Sequence, residues 1–345
     1  MRALTTVARL GMDAPCGALG LCLCLCLCLC LAAGCARPDP VNGPANASAK
    51  GPVGEAAPRP TVVLGPALKS EARRIVSLAP SLTEIALALD PTLSERLVGV
   101  TRFDDDPAVA HLPRVGGYSD PSVEAVIALG PDLVLAEAGP GNRQAVERVA
   151  AQGVPTRAFF LGTRAEILGA IEEVAQLVGR PEKGRMLKAD IERRIGEVVQ
   201  ASRASVDANG KAAGLSAPRA LVIYGWEPIV AAGPGTFADE LVLLSGGRNA
   251  IESRGIRYPA LTPEALIALS PKLIVDAAHD RPASRRHIVA WAQKQGVHLQ
   301  EASPALLRPG IRLADAVEEL HRAMRSASAP QSAARSPAVG AQEGR

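Results

Sequence analysis

The chain has 345 residues, of which 48% are hydrophobic and only 3% aromatic. This length suits one large or two medium domains with a sizeable core. Lys and Arg number 38 against 35 Asp and Glu, and a net charge of +3 is too balanced to indicate a nucleic-acid partner.

All seven cysteines lie within the first 35 residues. A positively charged start is followed by an apolar stretch at 18–31, which is too short to span a membrane comfortably and is typical of an export signal. Residues 31–35 read Leu-Ala-Ala-Gly-Cys and match the bacterial lipobox. We therefore predict a lipoprotein signal peptide at 1–34 and lipidation of Cys35, with a short internal hydrophobic segment as the alternative. The mature protein is then expected to be periplasmic or otherwise extracytoplasmic, and anchored to a membrane by its lipid.

Two segments lack a periodic apolar pattern. Residues 35–72 are rich in Pro, Gly, Ala and Asn, which predicts a flexible linker after the lipidated cysteine. Residues 326–345 are rich in Ala and Ser and predict a disordered tail. The folded part is expected between these segments.

Strands and helices alternate over residues 73–180, which predicts an N-terminal α/β lobe with a mostly parallel sheet. Ser81 and Glu84 have the spacing of a capping box at the start of the first helix. The predicted strands are 74–78, 97–101, 131–135 and 154–161, and the predicted helices are 81–89, one opened by Ser122, 142–152 and 163–178.

A long charged segment at 181–208 has apolar residues at helical spacing and a proline suited to a first turn. It predicts one long helix that joins two lobes. The alternation resumes over 216–325, with predicted strands at 219–224, 272–277 and 297–301 and predicted helices at 236–244, 262–269, 284–295 and 309–325. The expected fold class is α/β, with two lobes built on mostly parallel sheets and joined by one long rigid helix.

A fifteen-residue phrase that begins at Glu124 recurs at Glu264, and eight of the fifteen positions are identical. A repeated helix-then-strand unit indicates two similar lobes. Each glutamate lies in a predicted first helical turn, where an acid is favourable against the helix dipole. Read as a pair on matching lobes, they also fit a contact with a two-fold symmetric partner that carries arginines.

The sequence has no constellation typical of an enzyme. No phosphate-binding loop and no Gly-x-Ser-x-Gly motif occurs, and the mature chain has no cysteine nucleophile. The five histidines have no metal-ligand spacing, so we expect no metal site. Asp104, Asp105 and Asp106 could bind calcium, but acids before a proline are more typical of a solvated turn.

The few aromatic residues are concentrated near predicted strand ends and helix starts. Loops beyond the carboxyl ends of strands form the ligand crevice of open α/β sheets. Rings in such loops predict a flat apolar ligand, with rings packed under their own lobe as the alternative. The residues in these positions are Phe103, Tyr118, Tyr224, Trp226, Phe237 and Tyr258.

Several segments, in order, resemble the periplasmic substrate-binding proteins for cobalamin, haem and iron siderophores, and most of all the cobalamin-binding branch. The resemblance covers nearly all of residues 73–325. It implies two α/β lobes bridged by a rigid helix (a class III substrate-binding protein), a ligand bound between them, and docking on an ABC importer. The segments that carry the resemblance are 74–85, 97–101, 112–124, 232–237, 246–249 and 307–313.

The resemblance also implies roles for individual residues. Tyr118 and Phe103 would flank the corrin, joined by Tyr224 or Trp226 from the second lobe, and the loop of Arg308 would reach the ligand edge. Glu124 and Glu264 match the acids that dock on arginines of the membrane subunits. From these positions we also expect Ser119 and Arg308 to contact edge amides. Two features depart from the branch: acids replace a second aromatic residue after Phe103, and a tyrosine rather than a tryptophan stands at position 118.

The expected function is therefore capture of cobalamin or a related corrinoid, and its delivery to an ABC permease dimer with its ATPase. We expect a monomer with no catalytic activity and no cofactor. Haem or a ferric siderophore is the close alternative as ligand. A metal-cation receptor or metallochaperone and an envelope enzyme are the alternatives from other classes.

Overall fold

A computed structural model of the chain describes residues 58–204, 217–253, 255–278 and 282–328. The predicted signal peptide, Cys35, the first part of the predicted linker and residues 329–345 lie outside this part of the chain. Within it, no helix is both long enough and apolar enough to cross a membrane.

The N-terminal lobe is built on a five-stranded sheet with the strand order β1-β5-β4-β2-β3. Strands β2 to β5 run parallel, as predicted, and helices connect them. The strands are β1 (Val62–Leu64), β2 (Ile75–Ser77), β3 (Leu97–Gly99), β4 (Leu133–Glu137) and β5 (Thr156–Phe159), and the helices are α1 (Pro80–Leu89), α2 (Val123–Ala128), α3 (Arg143–Ala151) and α4 (Arg164–Leu177).

Strand β1 lies inside the segment predicted to be a flexible linker, so that prediction is wrong for residues 62–64. The strand pairs antiparallel with β5, and Val62 lies opposite Ala158. Without it, β5 would be an edge strand with unpaired backbone groups, which this pairing satisfies. The signal in the sequence is only three apolar residues between prolines, too short to predict a strand.

The predicted capping box at the start of α1 is also wrong. The helix begins at Pro80, and Ala79 is its extended N-cap without a side-chain hydrogen bond. Proline fits the first turn because its missing N–H would have no helical partner there. Glu84 is buried, and it accepts hydrogen bonds from Arg308 and Arg312 instead of capping the helix.

The C-terminal lobe has a six-stranded sheet with the order β11-β10-β6-β7-β9, and β8 pairs with the start of β6. Strands β6, β8, β10 and β11 are parallel, whereas β7 pairs antiparallel with both β6 and β9. Strands β7, β8 and β9 were not predicted. The strands are β6 (Arg219–Trp226), β7 (Ile229–Ala231), β8 (Arg248–Asn249), β9 (Ala260–Leu261), β10 (Leu273–Asp276) and β11 (His298–Glu301).

The last predicted helix, 309–325, begins only at Leu313, and a short helix that was not predicted, at 304–307, precedes it. Proline disfavours helical backbone at the residue before it, and Arg308 is accordingly extended, with φ −115° and ψ 112°. The final helix ends at Ser328, inside the predicted tail. The helices of this lobe are α6 (Phe237–Leu244), α7 (Pro263–Ala268), α8 (Ala283–Gln295), α9 (Pro304–Leu307) and α10 (Leu313–Ser328).

The predicted helix between the lobes is confirmed as α5 (Pro181–Ala204), and the predicted residues 205–208 lie outside the described residues. Its 24 residues correspond to about 36 Å. Ile191 and Ile195 are buried where it packs against α4 and α10. Lys188 pairs with Glu172 of α4 at 2.9 Å, and Arg194 pairs with Glu318 of α10 at 2.8 Å, so α5 is bound to both lobes.

The repeated phrase forms the same unit in both lobes. The helices α2 and α7 each have six residues, and strands β4 and β10 follow them. Gly130 ends the first helix with φ 57°, and Ser270, at the equivalent position, has φ 47°. Ser270 is the non-glycine residue with left-handed backbone in the described part of the chain. The second copy therefore retains the turn of the first without the glycine that relieves its strain.

Candidate ligand cleft

Segments that follow strands of the two sheets meet at Arg308. Its guanidinium donates to Glu84 at 3.1 Å and to both oxygens of Asp105 at 3.0 and 2.9 Å. Glu84 follows β2, Asp105 follows β3, and Arg308 follows β11. The space between these strand ends is where open α/β sheets bind their ligands.

Arg308 was expected to contact the edge of the ligand. It lies at the lobe boundary, as expected, but its donors are engaged by the N-terminal lobe. The guanidinium lowers the pKa of Asp105 through their hydrogen bonds, so this carboxylate is ionised at neutral pH. Any ligand contact of Arg308 therefore has to be made alongside, or in place of, its contact with Asp105.

The loops at the carboxyl end of the first sheet form the N-terminal wall of the cleft. Tyr118 and Ser119 lie in one of these loops, which is closed by a backbone bridge between Gly116 and Pro121. Tyr118 is half-buried, and Ser119 is exposed. A Cβ at Gly139 would overlap the Tyr118 hydroxyl, so the loop after β4 approaches this ring as closely as only glycine allows. The two loops together place the phenol at the carboxyl end of the sheet.

Glu137 is a residue of this wall that was not predicted. It is the last residue of β4, and burial raises the pKa of its carboxyl to about 7. Burial, together with the nearby Glu137, also raises the pKa of Tyr118. The signal in the sequence was an acid directly after the apolar run Leu133–Ala136, at the end of a strand where ligand contacts are expected.

The raised pKa of Glu137 predicts a pH-dependent effect of Glu137→Gln. Because the folded protein holds this proton more tightly than the unfolded chain, stability falls as pH rises from the ordinary value of 4.5 through about 7. We expect Glu137→Gln to raise the free energy of unfolding by about 2 kcal/mol at pH 8, after allowance for partial solvent screening, and to change it little at pH 4.5. Urea denaturation at both pH values measures this difference.

Glu95→Gln is the matched control, since Glu95 is an exposed acid on the same lobe. This substitution should leave the free energy of unfolding unchanged at both pH values. If Glu137→Gln raised the free energy of unfolding equally at pH 4.5 and pH 8, Glu137 would not be a buried carboxyl that titrates between these values.

Phe103 gives the same wall an exposed ring, with 51% of the residue accessible. The Arg102 guanidinium stacks over one side of this ring at 4.8 Å and donates to both oxygens of Asp120 at 2.9 Å. The stacked guanidinium fixes the ring, whose accessible surface suits a flat apolar ligand.

On the C-terminal lobe, Tyr224 and Tyr258 form an aromatic pair. Their centroids are 5.9 Å apart with an angle of 73° between the rings, an edge-to-face contact. Burial and the neighbouring Tyr258 raise the pKa of Tyr224 to about 12, so it stays a neutral phenol. Tyr258 is 50% exposed and presents the accessible ring of the pair.

The prediction that Trp226 contacts the ligand does not fit the structure. The residue is only 2% exposed, and its indole N–H donates to Asp276 at 2.9 Å within the second lobe. A bulge opposite β7, between Ile223 and Gly225, changes the alternation of side chains along β6. Tyr224 consequently packs on one face of the sheet and Trp226 on the other. Phe237 is likewise buried in the core.

Glu124 and Glu264 are both exposed, in the first turns of α2 and α7. Ser122 and Thr262 cap these helices, each accepting a backbone hydrogen bond at 3.2 Å. Backbone hydrogen bonding at the helix start, with a contribution from Thr262, lowers the pKa of Glu264. Neither glutamate has an ion-pair partner among the described residues, so both carboxylates are open to an external cation.

A metal centre is not among the features of this cleft. In the described ranges, no three His, Cys, Asp or Glu side chains are grouped so that they could hold a metal ion.

The fold is shared with solved binding proteins and curated relatives. The periplasmic vitamin B12 binding protein BtuF of Vibrio cholerae is 26% identical, with a TM-score of 0.61, and the match covers 74% of this chain and 98% of that one. The periplasmic heme-binding protein BhuT, solved with two hemes, is 28% identical, with a TM-score of 0.63 and coverage of 75% and 99%. The vitamin B12-binding protein of Pectobacterium atrosepticum is 27% identical over 214 residues, which are 61% of this chain and 74% of that protein.

The family of this chain is shown by a match that extends over most of both lobes. Residues 75–297 match the model of the periplasmic binding proteins, from β2 in the first lobe to the segment before β11 in the second. The matches to the two solved structures also cover about three quarters of this chain. The chain therefore belongs to the periplasmic binding protein family.

Proposed function

We propose that this protein captures cobalamin or a related corrinoid outside the cytoplasm and delivers it to an ABC importer. The observation that carries the proposal is the cleft itself. Accessible rings of Phe103 and Tyr118 lie at the carboxyl ends of one sheet, and the Tyr224–Tyr258 pair lies on the facing lobe. Aromatic rings on two walls suit a flat macrocycle held between them.

The choice of a corrinoid is supported by the relatives. Proteins named vitamin B12-binding proteins, from Pectobacterium, Vibrio and Yersinia species, align over about 60% of this chain. Haem is the second candidate, because a heme-binding neighbour is equally similar and because the Tyr118 phenol lies in the cleft, where it could ligate iron. Membership of a binding-protein family supports a binding rather than a catalytic role.

Delivery and anchoring complete the proposal. The exposed Glu124 and Glu264 begin equivalent helices on the two lobes, which suits docking on paired arginines of a permease dimer. The lipobox that ends at Cys35 supports a lipid anchor in a membrane, and we propose that the protein acts as a monomer.

Calorimetric titration of the purified protein with cyanocobalamin tests the ligand. We expect saturable binding, and we expect Tyr118→Ala to weaken it roughly 10- to 100-fold, because about 1.5–3 kcal/mol of ring burial is lost. Tyr118→Phe is the matched control, since it keeps the ring and should retain most of the affinity. If titration with cyanocobalamin released no more heat than dilution into buffer, the proposal would be wrong. A Soret band with haemin that Tyr118→Phe removes would favour haem instead.

A further inference from the structure

Two arginines on the C-terminal side of the cleft are already held by carboxylates of the N-terminal lobe. Arg308 binds both oxygens of Asp105, at 3.0 and 2.9 Å, and also contacts Glu84 at 3.1 Å. Arg312 donates to the same oxygen of Glu84 at 2.8 Å. The terminal fork of Arg308, formed by Nη1 and Nη2, is therefore occupied by Asp105 and is not open to a ligand carboxylate.

A second arginine, on the N-terminal wall, is also held by both oxygens of an aspartate. Arg102 donates to both oxygens of Asp120, each at 2.9 Å. Glu137, in contrast, is a carboxyl group at the end of β4 with no ion-pair partner among the described residues. The cleft thus combines guanidinium groups that are engaged with a carboxyl group that is not. The engaged guanidinium groups, and Glu137 to the extent that it is ionised, make the cleft unfavourable for a ligand with ionised carboxylates of its own.

The two candidate macrocycles differ in this respect. Haemin carries two propionates, which are ionised at neutral pH. One of them would either displace Asp105 from Arg308 or bind beside it, next to the negative charges of Asp105 and Glu84. Cyanocobalamin carries neutral amides at its edge. An amide can donate an N–H to Asp105 while Arg308 remains bound, so no existing pair has to be broken.

We propose that Asp105 is a specificity-determining residue, which holds Arg308 and thereby selects macrocycles with neutral amide substituents over macrocycles with ionised carboxylates. The proposal rests on the proposed function, since it assumes that the cleft binds a macrocycle. Asp105 suits this role because its side chain is 71% exposed at the rim, whereas the Arg308 side chain that it holds is 28% exposed. The pair therefore lies where an incoming ligand meets it.

The test is Asp105→Asn in the mature protein, with haemin binding followed by absorbance and cyanocobalamin binding by calorimetry. Asparagine has nearly the same shape but releases Arg308 from a charged partner. We expect the preference for cyanocobalamin over haemin, measured as the ratio of the two dissociation constants, to fall about tenfold. Adding Arg308→Gln to this variant should remove the gain in haemin affinity, because the released guanidinium is then absent.

Asp106→Asn is the matched control, since it removes the same charge from the adjacent position. Asp106 caps a short helical turn by accepting from the Ala108 N–H at 2.8 Å, a bond that asparagine also makes. The ratio of dissociation constants for Asp106→Asn should equal that of the wild type. An equal fall of this ratio in Asp105→Asn and Asp106→Asn would overturn the role of Asp105.

The outcomes also separate this inference from the function on which it rests. An unchanged ratio for Asp105→Asn, with cyanocobalamin still bound, overturns the specificity role alone. A wild-type protein that binds haemin and not cyanocobalamin overturns both the specificity role and the corrinoid assignment.

Discussion

Charge reversal at both Glu124 and Glu264 is expected to abolish uptake of cobalamin through the ABC importer, while the purified protein keeps its affinity for the ligand. Both carboxylates are exposed and begin equivalent helices of the two lobes, so each would meet an arginine of one permease subunit. Close interfacial charge pairs contribute roughly 1.5–7 kcal/mol each. Replacing attraction with repulsion at two such pairs should reduce docking by several orders of magnitude. Proteoliposomes that contain the importer and labelled cobalamin provide the measurement.

The helix dipole requires a control for this experiment. A lysine in a first helical turn costs about 0.3–1 kcal/mol of stability wherever it is placed. Glu182→Lys carries at least this penalty, because Glu182 is an exposed acid in the first turn of α5 and also pairs with Arg185 at the surface. We expect this variant to support normal uptake. Wild-type uptake by the double variant would show that the two glutamates are only local helix-stabilising residues.

Replacing Trp226 by alanine is expected to destabilise the protein by about 3–5 kcal/mol, the range for removing a large buried aromatic side chain. The ring is 2% exposed, and it packs with Ile223, Ile229 and Leu266 on one face of the second sheet. The substitution also removes the donor to Asp276, whose carboxylate keeps its contact with Arg285 at 2.6 Å. Chemical denaturation measures the loss.

Trp226→Phe separates packing from ligand contact, since it folds more readily and keeps an aromatic ring. It should cost about 1–3 kcal/mol through the lost hydrogen bond, without changing the affinity for cyanocobalamin. Tyr118→Ala should show the opposite pattern, with weakened binding and nearly unchanged stability. If Trp226→Phe reduced affinity as much as Tyr118→Ala does, Trp226 would have to be a ligand-facing residue.

Sequence reasoning succeeded where the signal repeats along the chain. The alternation of apolar strands and amphipathic helices predicted two α/β lobes, and the phrase shared by Glu124 and Glu264 predicted their similarity. The apolar spacing of α5 predicted the connecting helix, whose Ile191 is buried against its neighbours. These features depend on local periodicity, which a single sequence records directly.

The sequence was less informative where a side chain depends on distant backbone. A single bulge in β6 places Trp226 in the core, although its position near the end of the strand resembles that of Tyr224. Glu84 has the spacing of a capping residue, yet Arg308, 224 residues away, binds it across the lobe boundary. Strand β1 was missed because its stability comes from the edge of β5 rather than from its own three residues.

In the candidate site, too, some residues could be predicted from the sequence and others could not. Phe103 and Tyr118 were found because rings at strand ends are few in this chain. Glu137 was missed, since an acid after a strand is common and only burial distinguishes this one. The pairing of Arg308 with Asp105 joins positions 203 residues apart, which spacing alone cannot predict.

In the proposed function, a corrinoid lies between the two lobes, against the rings at the carboxyl ends of the sheets. A crystal structure of the protein with cyanocobalamin should show the corrin between Tyr118 on one wall and the Tyr224–Tyr258 pair on the other, with the Arg308–Asp105 pair intact at its edge. A corrin bound outside this cleft, or bound in it only after Asp105 has been displaced from Arg308, would show that the proposed binding mode is wrong.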